Sequence, residues 1–263
     1  MFFGRKKELQ ELSTELTNWN KKSAILIYGK RRVGKSTLIK EAAKSFCGIV
    51  INHLCVSSTF EGNIELIYNS VSEALSLPNI RFDSLFAMME YLKTLDKNIL
   101  LIIDEYPYLK RTKKKHEVDS YIQAVIDKLP KNVKLILCGS YISVMKELLM
   151  EENPLFGRFS LIQHIHDFDY YEASNFYLEL PAIEKIAFYS VFGGSPYVLE
   201  NLDTRATIQE NIKRLLLPET ALVRSHIENI MLKEIQKTFD ARILESLGNG
   251  KKKYTEIRDK NRK

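Results

Sequence analysis

The 263-residue chain has three cysteines, five histidines and no long apolar run, and each shortage removes a class of protein. No apolar stretch approaches the ~20 residues of a membrane span, and Met1-Phe-Phe-Gly-Arg-Lys-Lys is followed by no signal-type segment. Cys47, Cys55 and Cys138 are odd in number, widely spaced and set in apolar surroundings, so they read as reduced core thiols rather than a disulfide framework. Neither cysteines nor histidines show a metal-ligand spacing. His164 and His166 alternate along an expected strand and share a face; a metal pair is one reading, ordinary strand histidines the favoured one. Repeats and low-complexity tracts are absent. The expectation is a soluble, cytoplasmic protein that does not enter a membrane.

Positive charge is plentiful but uneven. The net charge is +6, and residues 248–263 hold seven Lys or Arg against two acids, leaving about +1 for the other 247 residues. Any attraction to an acidic partner therefore belongs to the tail.

What the chain does have is Ile25-Leu-Ile-Tyr-Gly29-Lys30-Arg31-Arg32-Val33-Gly34-Lys35-Ser36-Thr37, a G-x-x-x-x-G-K-S pattern between a β-prone run and a helix-compatible one. Gly29 and Gly34 permit backbone geometry that side chains forbid. The amides of the loop and of the next helix's first turn are then free to point at an anion. Lys35 is expected against the β- and γ-phosphates of a nucleotide, with the Ser36 hydroxyl on Mg²⁺.

A second motif supports the first. Ile99–Ile103 is a five-residue apolar run suited to a strand buried on both faces, and it ends in Asp104-Glu105. Acids at the carboxyl end of such a strand lie where open α/β sheets bind ligands. Asp104 suits a second-shell Mg²⁺ role, and Glu105 is suited to take a proton from an attacking water. The adjacent pair points to nucleotide hydrolysis rather than to kinase- or GTPase-type loops.

An amphipathic helix is expected over residues 5–19, with Leu9, Leu12, Leu16 and Trp19 at helical spacing. Strand-like runs follow at Ala24–Tyr28, Ile49–Leu54, Ile99–Ile103, Lys134–Cys138 and Leu161–Ile165, with helical patterns near 36–46, 62–76, 83–95, 118–129 and 141–150. That alternation predicts a parallel sheet with helices on both faces over residues 1–168. Lys110–His116 reads as a solvated loop. Residues 169–179, 182–192, 205–216 and 219–237 read as helices, giving a small helical domain over 169–238. Residues 239–263 resemble the opening of a winged helix-turn-helix without its recognition helix, so that segment reads as a fragment or a frayed basic tail.

Phe3-Gly4-Arg5-Lys-Lys-Glu8-Leu9, the phosphate loop, Ile-Asp104-Glu105, Leu-Ile-Leu-Cys-Gly139-Ser140, Pro154-Leu-Phe-Gly157-Arg158 and Phe192-Gly193-Gly194-Ser195-Pro196-Tyr197 together resemble the archaeal-type ATPase family of AAA+/STAND-like P-loop ATPases. The resemblance implies an α/β RecA-like/AAA+ core, a helical lid and an ATP-binding, Mg²⁺-dependent ATPase. Adenine over guanine also rests on it, since no Asn-Lys-x-Asp motif is present. It further implies that Ser140 is a polar sensor of the γ-phosphate, although a helix-capping Ser fits the residues equally. Arg158 is implied as an arginine finger, Arg5 as part of the segment near the adenine, and Pro196 as the lid's contact with the nucleotide. Two other readings stay open: a slow-turnover STAND-like switch, and a DNA-loading ATPase module with weak, sequence-indifferent DNA binding through the tail. Self-association also accords with the family.

Overall fold

The computed structural model describes residues 2–78, 80–110 and 116–229. In chain order the elements are α1 (Lys6–Thr17), β1 (Ser23–Gly29), α2 (Lys35–Ala43), β2 (Ile49–Leu54), α3 (Phe60–Ala74), α4 (Leu85–Thr94), β3 (Ile99–Asp104), α5 (Glu117–Asp127), β4 (Val133–Gly139), α6 (Ile142–Glu147) and β5 (Leu161–Ile165). Short helices α7 (Tyr170–Ala173), α8 (Ala182–Phe192), α9 (Pro196–Leu199) and α10 (Ile208–Leu215) follow, and residues 222–229 are helical. Single 3-10 turns sit at Tyr106–Tyr108 and Ser174–Tyr177.

The chain divides into two compact units, Met1–Leu178 with Phe192–Leu199, and Glu179–Val191 with Glu200–Lys263. The first holds a five-stranded sheet in the order β2-β3-β4-β1-β5, and every neighbouring pair runs parallel. All seven residues of β1 and of β4 are buried, as continuous apolar runs in a doubly covered sheet require. Successive side chains alternate between two cores. Leu26, Leu101, Leu135 and Leu137 face Ile67, Val71, Met88, Leu92 and Ile122 on one side. Ile25, Ile27, Leu100, Ile102 and Ile136 face Leu12, Leu16, Leu38 and Ile39 on the other. Truncating one of these to Ala costs about 2–5 kcal/mol. The register aligns the strands' carboxyl ends: Tyr28 opposite Gly139, Gly29 opposite Ile165, Leu54 opposite Asp104. With β1 between β4 and β5, the loop after it opens at the ligand edge of an α/β sheet.

Side-chain caps set where the helices begin. Thr59 accepts from the amide of Gly62 and Ser84 from that of Ala87. In the second unit a Thr207/Glu210 capping box starts α10, and buried Asn211 donates to the carbonyls of Asp203 and Thr207.

Three expectations need correction. Cys47 is exposed in the turn between α2 and β2 rather than in the core, whereas Cys55 and Cys138 are buried. The first helix stops at Thr17, and Trp19 packs beyond it against Phe46, ring centres 5.7 Å apart. The helix expected over 169–179 is one α-turn followed by a 3-10 turn. Among the described residues no helix is long and apolar enough to cross a membrane. The expected winged-helix start, the end of the 219–237 helix and residues 111–115 lie outside the described residues.

Candidate active site

The loop between β1 and α2 owes its shape to two glycines for different reasons. A Cβ on Gly29 would run into the carbonyl oxygen of Ile165, so only glycine lets β5 approach there. Gly34 has room for a Cβ, which would meet only Pro196 at 3.9 Å, but its φ of +89° is one that side chains rarely tolerate. Its carbonyl accepts from the Leu38 amide at 2.9 Å and opens α2, leaving the amides of the first helical turn without intrahelical partners. Between them, Lys30 faces the Asp167 carboxylate at 4.0 Å, Arg32 lies 4.0 Å over the Tyr197 ring, and Val33 is buried. Lys35, only 6 % exposed, curls back to donate to the carbonyls of Gly29 at 3.0 Å and Lys30 at 2.8 Å. Burial lowers its amine pKa, and a bound anion is the partner that would offset that cost. Ser36 and Thr37 are both exposed in the first helical turn.

The Ser36 hydroxyl donates to Asp104 Oδ2 at 2.8 Å. The donor set fits Mg²⁺, which takes hard oxygens at 2.0–2.1 Å, so adjacent ligands in its octahedron lie about 3.0 Å apart. Among the described residues no group of three or more His, Cys, Asp or Glu could hold a metal. A cavity of about 280 Å³ beside the pair, bordered by Lys40 and Asn52, has room for such waters.

Glu105 follows with φ 53°, a left-handed conformation that costs a non-glycine residue about 1 kcal/mol or more. Its amide donates to Asp104 Oδ1 at 2.9 Å, and its Oε2 accepts from the Ser140 hydroxyl at 2.8 Å and the Ser140 amide at 3.3 Å. Ser140 Oγ in turn accepts from Arg31 Nε at 3.3 Å. A second arm of the same guanidinium donates to the Tyr108 hydroxyl at 2.9 Å, and the group lies 5.5 Å from the centre of the Tyr141 ring. Bonds from Tyr141 and Arg31 to the Tyr108 hydroxyl hold its pKa below the usual value. Behind this turn Asp119, fully buried, accepts from Tyr106 Oη at 2.8 Å, Lys110 Nζ at 2.6 Å and Asn153 Nδ2 at 2.9 Å. Burial alone would raise the Asp119 pKa, but Lys110 and Asn153 hold it below normal.

The other expected residues sit in varied places. Arg5, 4 % exposed, is a clasp: its guanidinium donates to the carbonyls of Val33 (3.2 Å) and His166 and lies 4.4 Å over the Phe168 ring. Its own amide donates to Glu172 Oε1 at 2.6 Å. Pro196 is buried, with its ring 3.9 Å from where a Cβ on Gly34 would stand. Arg158 is remote. It precedes β5 at the amino edge of the sheet and grips Asp127 at 3.0 and 3.3 Å. A seven-residue strand separates that edge from the loop, roughly 20 Å at ~3.3 Å per residue. Arg158 therefore does not reach its own chain's phosphate loop. His164 stacks on Tyr28, ring centres 4.5 Å apart, and touches His166 at 3.8 Å. Burial, and then His166, lower the His164 pKa, keeping the ring neutral.

Sequence reasoning did not single out Tyr108, Tyr141 or Asp119. The Tyr-Pro-Tyr turn just after Asp104-Glu105 was a signal for the first, since a rigid turn there must face the same sheet edge.

Comparison with known proteins gives the family and the fold. A family model described as an ATPase domain predominantly from Archaea matches residues 2–202. An uncharacterised protein of Methanocaldococcus jannaschii is 28% identical over 265 residues, covering 98% of this chain and 57% of its own length, so this chain spans little more than half of that relative. Among solved structures, the Walker-type ATPase PABY2304 of Pyrococcus abyssi superposes with TM-score 0.63 at 20% identity, covering 98% of this chain and 83% of the other. The ORC2 protein of Aeropyrum pernix, solved with ADPNP and ADP, gives TM-score 0.64 at 16% identity, with 97% and 78% covered. The ORC1 protein of the same organism, solved with DNA, gives 0.54 at 14%, with 99% and 77% covered. These structural likenesses establish the α/β fold.

Proposed function

The chain belongs to the family of ATPase domains found predominantly in Archaea, and from that premise we propose that it binds ATP with Mg²⁺ and hydrolyses it to ADP and phosphate. The observation that carries the reading is the single sheet edge on which Lys35, the Ser36–Asp104 pair and the Ser140-anchored Glu105 meet. The amides of residues 30–36 and the Lys35 ammonium take the β- and γ-phosphates, Lys35 exchanging its two carbonyl partners for phosphate oxygens. Ser36 and Asp104 would hold the Mg²⁺, whose charge, when bound, screens the phosphates against the incoming nucleophile.

Glu105 orients a water in line with the γ-phosphorus and takes its proton. The water oxygen forms the new P–O bond, and the bond from the γ-phosphorus to the bridging oxygen breaks. Its electron pair stays on ADP. Ser140 fixes the carboxylate in place, so the base enters the reaction already oriented. Arg5 and Pro196 act on the shape of the loop: Arg5 holds the Val33 carbonyl and Pro196 covers Gly34.

Phosphate release by the purified chain with MgATP tests the reading. Steady turnover is expected in the wild type and its loss in Lys35→Ala. Unchanged ATP binding and turnover in that variant would refute it. A second reading, an ATPase module that acts on DNA, draws on the ORC1 protein solved with DNA and on the basic charge of residues 248–263. Stimulation of phosphate release by duplex DNA is its test.

A further inference from the structure

We propose that Arg31, inside the phosphate loop, is the arginine that stabilises the transition state of ATP hydrolysis, supplied by the same chain that holds the nucleotide. The inference rests on the ATPase reading above and adds to it a catalytic group and its origin.

Position is the first argument. The Arg31 guanidinium is bonded to Ser140 Oγ, and Ser140 Oγ is bonded to Glu105 Oε2, so only one hydroxyl separates this cation from the carboxylate that faces the attacking water. Lys35, four residues on, folds its ammonium back onto the carbonyls of Gly29 and Lys30, close enough for Arg31 to act on it. The two cations thus share the loop that follows Gly29, with Arg31 on the side of Ser140 and Glu105, where the transferred phosphoryl group must sit for Glu105 to act in line.

Charge is the second. The described side-chain partners of Arg31 are the hydroxyls of Ser140 and Tyr108 and the ring of Tyr141, all neutral. Those partners steer the guanidinium without a direct ion pair, and the Glu105 carboxylate attracts it only across the Ser140 hydroxyl. Arg158 presents the reverse case, with both arms on the Asp127 carboxylate at the far edge of the sheet. A cation aimed by neutral groups keeps its field for a ligand, and a planar guanidinium suits the equatorial oxygens of a phosphoryl group.

Timing is the third. As water attacks the γ-phosphorus and the bond to the bridging oxygen breaks, negative charge spreads over the equatorial and leaving oxygens. Arg31 is exposed in the loop, and exchanging one hydroxyl bond for a phosphoryl oxygen requires a rotation of its own side chain only. Tyr108 and Tyr141, on elements that follow β3 and β4, keep it on the γ-phosphate side of the loop.

The test is steady-state hydrolysis by the full chain for wild type, Arg31→Ala and Arg31→Lys, over a range of protein concentrations, with ATP affinity and capture of ADP with aluminium fluoride measured in parallel. Arginine fingers contribute roughly 10³–10⁵-fold. We expect Arg31→Ala to lose at least ~10²-fold in kcat, to keep ATP affinity within a few-fold and to fail to capture ADP–aluminium fluoride. Arg31→Lys should recover part of the rate, and free guanidinium ion should partly rescue Arg31→Ala. Mixing Arg31→Ala with Lys35→Ala should restore nothing, because both groups must belong to one chain. Wild-type kcat in Arg31→Ala, a change confined to KM, or recovery on mixing would each overturn the proposal. A wild-type chain that releases no phosphate would instead overturn the ATPase reading beneath it, so the two failures are distinct.

Discussion

The two edges of the sheet are built from the same residue types and finished in opposite ways. At the amino edge Arg158 closes on Asp127 and Lys22 donates to the Asp127 carbonyl, so charges and dipoles are matched on the spot. At the carboxyl edge Lys35 is buried against two carbonyls, Glu105 sits in a left-handed backbone, and Arg31 is held by hydroxyls. Lys134 at the amino edge is also buried, against the Asn18 carbonyl, whereas Lys35 at the carboxyl edge lies within the attraction of Asp104 and Glu105. The functional edge shows less in its inventory of charged residues than in how they are held: Lys35 by carbonyls and Arg31 by hydroxyls, with Glu105 attracting both without bonding either.

The largest expected effect falls on the open edge. Glu105→Gln should bind MgATP yet hydrolyse it ~10²–10⁴-fold more slowly, as removal of a positioned base does. Wild-type phosphate release from that variant would move the base elsewhere and break the comparison. Next comes the support beneath that edge. Asp119→Ala strips a buried carboxylate from Lys110, Tyr106 and Asn153 and should cost about 3–5 kcal/mol in denaturant unfolding. Because the folded-state pKa of Asp119 lies below its ordinary value, its contribution is complete above about pH 4 and is lost as the pH falls through the folded pKa. Asp119→Asn should therefore flatten the acid limb of the stability curve, and an unaltered limb would remove the group from that role.

At the closed edge the effects should be smaller. Arg158→Ala should shift stability by ~1 kcal/mol or less, the scale of an exposed pair, and leave activity independent of protein concentration. If activity instead rises with concentration, and mixing Arg158→Ala with Lys35→Ala restores it, Arg158 serves a second copy and that edge is functional too. The smallest effect is expected from the tail. Deleting residues 251–263 should abolish only a weak duplex-DNA affinity that falls with log salt at a slope of about −0.9 per phosphate neutralised. Tight binding to one DNA sequence would place the readout elsewhere.

What was legible in the sequence was local. Strands β1, β3 and β4 declared themselves because a strand buried on both faces must be continuously apolar, and the phosphate loop because its chemistry lies within eight residues. The Asp104-Glu105 pair was readable for the same reason. Contacts that close across the fold were not. Arg5 was readable only as part of a segment near the nucleotide; its contacts with Val33, His166 and Glu172, up to 167 positions away, were not. Ser140 was readable as a sensor or as a cap; in the structure its hydroxyl holds Glu105, and no side-chain cap starts α6. Cys47 misled because its neighbour Phe46 turns inward while Cys47, in the same connection between α2 and β2, faces out. Helix ends shifted wherever a cap, rather than an apolar period, set the boundary, as at Thr59 and Ser84.

The Arg5 clasp also has a consequence in time. A ribosome adds ~5–20 residues per second, so after Arg5 is made roughly 10–30 s pass before His166, its partner 161 positions later, exists at all. Throughout that interval the nascent chain carries the whole glycine loop without the bond that ties its Val33 carbonyl to the end of β5. Leu12 and Leu16 of α1 can settle on β1 and α2 early, whereas the loop gains the Arg5 support only when the sheet's last strand is in place.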